Sequence, residues 1–227
     1  MTVPETAGIA AFLLADSRLP SGAYSHSAGL EPAVLAGLEV DGVYPYLLSR
    51  LHTVIRVETS AAVLAHRAAC TAVPGGFEAI EAALDARTPS AAQREASRRL
   101  GRGMLRLAGR LASGHPAVIE LRRAAPRPTR PVALGVTAAA LGVGELQLAR
   151  LCCYDDAQSV VAAALKLLPI DPMDATAWIL QAAAEMEAVA ADALRIETVH
   201  DIPALSAPWM EHWAEDHTTR TRRLFVA

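Results

Sequence analysis

Val132–Leu168 reads VALGVTAAALGVGELQLARLCCYDDAQSVVAAALKLL. Apolar residues run through it without the strict alternation of a half-buried strand. A continuous apolar stretch of helical length is buried on nearly all its sides. Gly142 and Gly144 divide it, which predicts helices over Val132–Leu141 and Glu145–Leu168. A helix buried all round needs others packed about it, and no part of the chain alternates over a useful length. Composition agrees: 52% of the 227 residues are apolar but only 4% are aromatic. Small side chains suit closely packed helices better than sheets. We therefore expect an all-α fold, a single domain over residues 1–227, built as a bundle of about eight to ten helices with Pro/Gly-rich turns.

Toward the C-terminus, Pro169-Ile170-Asp171-Pro172 is a sharp stop. Asp171 is placed to cap a long helix with Pro172 at its first position, expected to run to about Thr198. Pro203 and Pro208 frame a further short helix near Trp209–Glu215. Toward the N-terminus, Pro126, Pro128 and Pro131 make a stiff connector, preceded by a short helix over Ala117–Arg123. Before that lies the best-defined helix. Ser90 with Gln93 fits a capping box, and Ala96, Leu100, Met104, Leu107 and Leu111 keep the 3.6-residue period. Arg94, Arg98, Arg102, Arg106 and Arg110 form a basic stripe on it, suited to pairing with acidic neighbours or to an acidic partner or phosphate. Gly101 and Gly103 weaken this helix and would let another approach closely.

Phe77–Ala86 reads as a short helix after the Pro74-Gly75-Gly76 break. Pro45 suits an early helical position, and Tyr46–Ala69 reads as a long helix with Leu47, Leu51, Val54, Ala61, Ala65 and Ala68 on one face. Glu58 interrupts that face and requires a partner that the sequence does not name. Gly29–Leu38 is a second short helix, stopped by Gly37 and Asp41-Gly42. Residues 5–16 make the first, with Ile9, Phe12 and Leu13 on one side.

Several classes of function lack their residues. There is no G-x-x-x-x-G-K-[ST], no strand-borne G-x-G-x-x-G and no G-x-S-x-G. Ser21 and Ser25 lie beside His26, but adjacent loop residues do not aim a base at a nucleophile. The seven histidines are scattered, and Cys152 and Cys153 diverge by about 100° on a helix, so no spacing defines a metal site or a cofactor site. His212 and His217 with Glu211 and Asp216 could gather loosely at one helix end. Three cysteines, two of them vicinal, fit a reducing compartment. The N-terminus has no basic residue before Arg18, and the longest apolar run, Pro131–Gly144, falls short of the roughly 20 residues of a membrane span. We expect a soluble cytoplasmic protein that binds neither membrane nor, at a net charge of −3, nucleic acid. An interaction scaffold and a helical enzyme with a dispersed site both remain open at this point.

One polar knot stands apart: Leu13–Glu31, LLADSRLPSGAYSHSAGLE. Pro20, Ser21 and Gly22 break any helix there, and hydroxyl and charged side chains crowd the break. The bland reading is a satisfied turn between two helices. The pattern of Leu13, Ser17, Leu19, Pro20, Gly22, Tyr24, His26, Ser27, Gly29, Leu30 and Glu31 resembles the N-terminal signature of the urease accessory protein F (UreF) family, of actinobacterial type. The resemblance continues through the Arg-rich helix with Ser97, Gly101 and Leu107, the His115-Pro116 pair and the closing Leu224-Phe225-Val226-Ala227. It departs at Asp171 and Pro172, where much of the family has Gly and Gln, and in extra residues between Met210, His212 and Arg223-Leu224-Phe225.

The resemblance implies an all-α, non-enzymatic protein without a cofactor. Such proteins dimerise, bind UreD (also called UreH) and recruit the GTPase UreG, so that nickel is inserted into the urease apoprotein while GTP hydrolysis is controlled. A nickel-binding carrier or a helical enzyme with a dispersed active site is the alternative. Two contact surfaces are expected. The first joins Ser17, Pro20, Gly22, Tyr24, His26, Ser27, Gly29 and Glu31 to Met210, His212, Arg223, Leu224 and Phe225, with a mobile tail at about 218–227. The second lies near Lys166 and Pro169.

Overall fold

The computed structural model describes residues 7–16, 18–20, 26–71, 75–221 and 224–225. The candidate residues Ser17, Gly22, Tyr24 and Arg223 lie outside this set. Every regular element among the described residues is helical. In order they are α1 (Ala7–Ala15), α2 (Leu30–Leu35), α3 (Val40–Arg50), α4 (Arg56–Thr71), α5 (Gly76–Arg87), α6 (Ala91–Leu111), α7 (Pro116–Ala124), α8 (Arg130–Ala140), α9 (Glu145–Leu167), α10 (Pro172–Gln181), α11 (Ala183–Ala193) and α12 (Pro208–Thr219). None of them is long and apolar enough to cross a membrane.

Helix α8 is the hub. Every residue from Pro131 to Ala138 is buried, as expected of an apolar run with no polar side. It packs against α4, α6, α7 and α9. Two glycines make the crossings close. A Cβ on Gly135 would overlap the Ala62 carbonyl of α4, and one on Gly101 would overlap the Pro128 carbonyl just ahead of α8. Both neighbours are backbone, which cannot rotate aside, so these helices need glycine where they cross. The close approach expected from the α6 glycines is thus explained at Gly101.

Two large apolar clusters fill most of the interior, with a small third of Val63, Ala149, Ala190 and Ala193 beside them. One gathers Leu14, Ala62, Leu84, Met104, Val118 and Leu134 around α8; the other gathers Leu30, Leu47, Val160, Ala175, Val189 and Met210 around the C-terminal half of α9. α9 crosses both: Leu148, Leu151 and Cys152 serve the first, Cys153, Ala157 and Ala164 the second. The long rod of α3 and α4 crosses them likewise.

Several elements differ from expectation, each for a physical reason. The rod starts at Val40, so Asp41-Gly42 is its first turn and not a stop; Asp41 there faces the positive end of the helix dipole. A π turn over Leu51–Ile55 joins α3 to α4. Its wider winding shifts the phase of the buried face, so Val57, Ala62 and Val63 are buried while Val54 and Ala68 are only half-buried. The helix expected over residues 171–198 is two, meeting at the fully buried Ala182, which lets both α10 and α11 pack on α9. In α1 the side carrying Ile9, Phe12 and Leu13 faces out, and Ala10, Ala11 and Leu14 face in. Small residues let α1 lie close to the body, and the larger face is left exposed. The caps read from the sequence are present: Ser90 Oγ accepts the Gln93 N–H at 3.1 Å, and Asp171 Oδ1 accepts the Met173 N–H at 2.7 Å.

Candidate functional site

The corner after Pro20 turns through two left-handed residues, Ala28 (φ 51°) and Gly29 (φ 76°), into α2. An L-residue at positive φ is strained by about 1 kcal/mol, so something must hold Ala28. Three contacts do. Tyr46 on α3 donates its hydroxyl to the Ala28 carbonyl at 2.8 Å, His26 Nδ1 accepts the Ala28 N–H at 2.8 Å, and Ser27 is fully buried. Burial, reinforced by the nearby Arg50 and Arg130 cations, holds the His26 pKa down at about 4. His26 is therefore neutral at physiological pH, as an imidazole accepting at Nδ1 must be. Burial pushes the Tyr46 phenol up to about 12, so it remains a donor.

Glu31 follows on α2, with its side chain 5% exposed. Its carboxylate accepts the backbone N–H of Leu224 at 2.6 Å and of Phe225 at 3.0 Å, and His217 Nε2 of α12 lies 3.1 Å from it. The Phe225 ring is buried, with Lys166 Nζ of α9 5.0 Å from its centroid. A carboxylate 193 residues away in sequence from its first donor thus clasps the chain end, and Lys166 covers the clasp.

Beside the corner lies a 210 Å³ cavity lined by His26, Tyr46, Arg50, Glu58, Arg130 and Asp156, among others. Arg50 and Asp156 are both buried and bidentate, with the shortest contact 2.6 Å. Asp156 raises the Arg50 pKa against the opposing effect of burial. Arg130 pairs with Asp155 at its edge. Glu58, whose partner the sequence did not name, sits in the field of Arg130 and Arg50, and burial still outweighs them and raises its pKa. The two Arg–Asp pairs were missed in sequence. The signal was there, in Asp155-Asp156 and Arg50 interrupting otherwise apolar helices, but only the fold shows which charge meets which.

The remaining candidate residues divide by exposure. Ser27, Glu31, Met210 and Phe225 are buried; Pro20, Lys166, Pro169, His212 and Leu224 are exposed; His26 and Gly29 are intermediate. Pro169 borders a cleft with Leu168, Tyr44, Trp178, Glu39 and Asp41. His212 points outward against Trp209, at 6.1 Å between ring centroids, whereas His217 points inward to Glu31, so the two cannot share an ion. No three His, Cys, Asp or Glu side chains among the described residues converge as metal ligands. Cys152 and Cys153 are buried free thiols, and burial pushes both pKa values up, Cys153 to about 12.

The described residues define a helical protein whose most organised polar feature is a corner clasped to its own C-terminal segment. Comparison with known proteins says which. Residues 40–183 match the UreF family model. The chain is 38% identical over 217 residues to the urease accessory protein UreF of Mycobacterium sp. (strain JLS), covering 94% of this chain and 96% of that one. It is 36% identical to that of Mycolicibacterium vanbaalenii over 95% of this chain and 96% of that protein. It is 34% identical to that of Mycobacterium tuberculosis H37Rv over 94% and 96%. The chain belongs to the UreF family of urease accessory proteins.

Proposed function

We propose that this protein is a non-enzymatic scaffold of urease maturation. It acts in the cytoplasm as a homodimer, binds UreD/UreH, recruits the GTPase UreG and modulates GTP hydrolysis during nickel insertion. The observation that supports this reading is similarity to urease accessory proteins over nearly the full length of both chains. The clasped corner adds physical support. It presents Pro20, His212 and Leu224 to solvent on a base of buried groups. A surface organised before binding loses little entropy on docking.

UreD is assigned to the corner and the chain end. The tail expected to be mobile, about 218–227, includes residues outside the described set; of its described members, Thr218 and Thr219 belong to α12, Arg220 bonds Asp216, and Leu224 and Phe225 are held by Glu31. We take UreD to bind over this clasp and to raise the protection of the tail. Amide exchange of the tail measured with and without UreD tests it, and equal protection in both states refutes it. UreG is assigned to the Lys166–Pro172 end of α9 with its adjoining cleft. Charge reversal, Lys166→Glu, is expected to weaken capture of UreG, and unchanged capture removes that assignment. Co-purification with UreD and UreG tests the whole reading. Calorimetric titration of the isolated protein with nickel separates it from a nickel carrier, which would bind at micromolar strength.

A further inference from the structure

We infer that the end of the bundle where α6 meets α7 is a docking surface for an acidic protein segment carrying an apolar side chain among its carboxylates. Arg106, Arg110 and Arg122 carry it: all are exposed, and none has an ion pair or hydrogen bond to any described residue. The other arginines of the described set are engaged. Arg98, Arg102, Arg123 and Arg127 meet carboxylates, Arg87 and Arg94 meet backbone carbonyls, and Arg99 has its own contacts. The arginines of the described set that have no polar partner are therefore collected in one place.

The place is also shaped. Arg106 and Arg110 are one turn apart on α6, so they share a face. Arg122 of α7 lies across Gly109, and a Cβ at that position would overlap its Nη2. The missing side chain brings the third guanidinium against the helix that carries the other two. Flanking them, Leu111 is 42% and Ile119 56% exposed. Guanidiniums interleaved with aliphatic side chains suit carboxylates interleaved with an apolar residue, since each group meets its complement.

The same features argue against other polyanions. The patch has no aromatic side chain on which a base could stack, and the net charge of −3 would repel a nucleic acid at long range. Two aliphatic side chains at a helix end do not make the extended amphipathic face by which proteins lie on lipid. This surface is distinct from the clasped corner and from the Lys166 end of α9, and it stands whatever partners those two engage.

The test uses the full chain and a fluorescent peptide in which Glu and Leu share one face, followed by anisotropy. The variants are R106E/R110E/R122E and R106Q/R110Q/R122Q, with Arg195→Glu as a reversal elsewhere, all checked for wild-type helicity and melting. The wild type and Arg195→Glu are expected to bind alike. The neutral triple variant is expected to bind about tenfold more weakly, the product of about two-fold or more for each of three exposed pairs, and the reversed one more weakly still. Binding should weaken with salt. Equal binding by wild type and both triple variants overturns the inference. So does Arg-dependent binding of polyglutamate, single-stranded DNA or phosphatidylserine vesicles as tight as that of the Glu/Leu peptide, which would reduce the patch to a general anion site.

Discussion

Replacing Glu31 by alanine takes the acceptor from three donors at once: the amides of Leu224 and Phe225 and the His217 ring. If nothing moved, each stranded buried donor would cost about 1–3 kcal/mol, and the protein would lose a large part of its stability. The chain end has a cheaper escape. It can undock and hydrate its amides, giving up burial of Phe225, worth about 1.5–3 kcal/mol, and the Lys166 contact, worth about 0.5–1 kcal/mol. Freed backbone recovers about 1–2 kcal/mol of entropy per residue, which offsets part of that loss. The smaller cost decides, so Glu31→Ala is expected to destabilise the protein by about 1–3 kcal/mol. At about 2–4 °C per kcal/mol for a chain of this size, the melting temperature falls by about 2–12 °C. The more telling readout is local: amide exchange at Leu224 and Phe225 should become fast while α8 stays protected. Phe225→Ala should free the same segment, and adding it to Glu31→Ala should cost little more, because both break one clasp. Unchanged protection of Leu224 and Phe225 in Glu31→Ala would refute the reasoning, since it would mean that something other than this carboxylate holds the chain end.

Asp156→Ala leaves the buried Arg50 guanidinium without its counter-charge and is expected to cost about 3–5 kcal/mol in urea unfolding, whereas the double change Arg50→Met, Asp156→Leu costs clearly less than the two singles summed. Glu81 accepts the Thr129 N–H at 2.8 Å, yet burial lifts its pKa to about 7 from 4.5. The folded state thus binds this proton more tightly than the unfolded one, and stability falls as pH rises from about 4.5 to 7. Glu81→Gln keeps an acceptor without the charge, so it should flatten that part of the profile and stabilise the protein at pH 8 by on the order of 2–3 kcal/mol; parallel profiles would count against it. Gly135→Ala forces α8 away from the Ala62 carbonyl and is expected to cost about 1–3 kcal/mol or more, although alanine is the better helix former in isolation. Thermal melts of the variant beside wild type decide the sign.

The chain by itself determined what depends on near neighbours. Helix caps at Ser90 and Asp171 and the all-round burial of α8 follow from residues within a turn or two of each other, and so were legible in order along the sequence. The UreF signature at the corner was legible too, because its residues are contiguous. What only the tertiary structure decided is pairing across distance. That Glu31 would be spent on the chain's own end, that Arg50 would find Asp156, and that Ile9 and Phe12 would face solvent depends on which helices come to lie side by side. Charges and apolar groups carry no address in a sequence. A buried carboxylate requires donors but does not say from where they come, and the answer is set when packing brings residues 31 and 225 to one point.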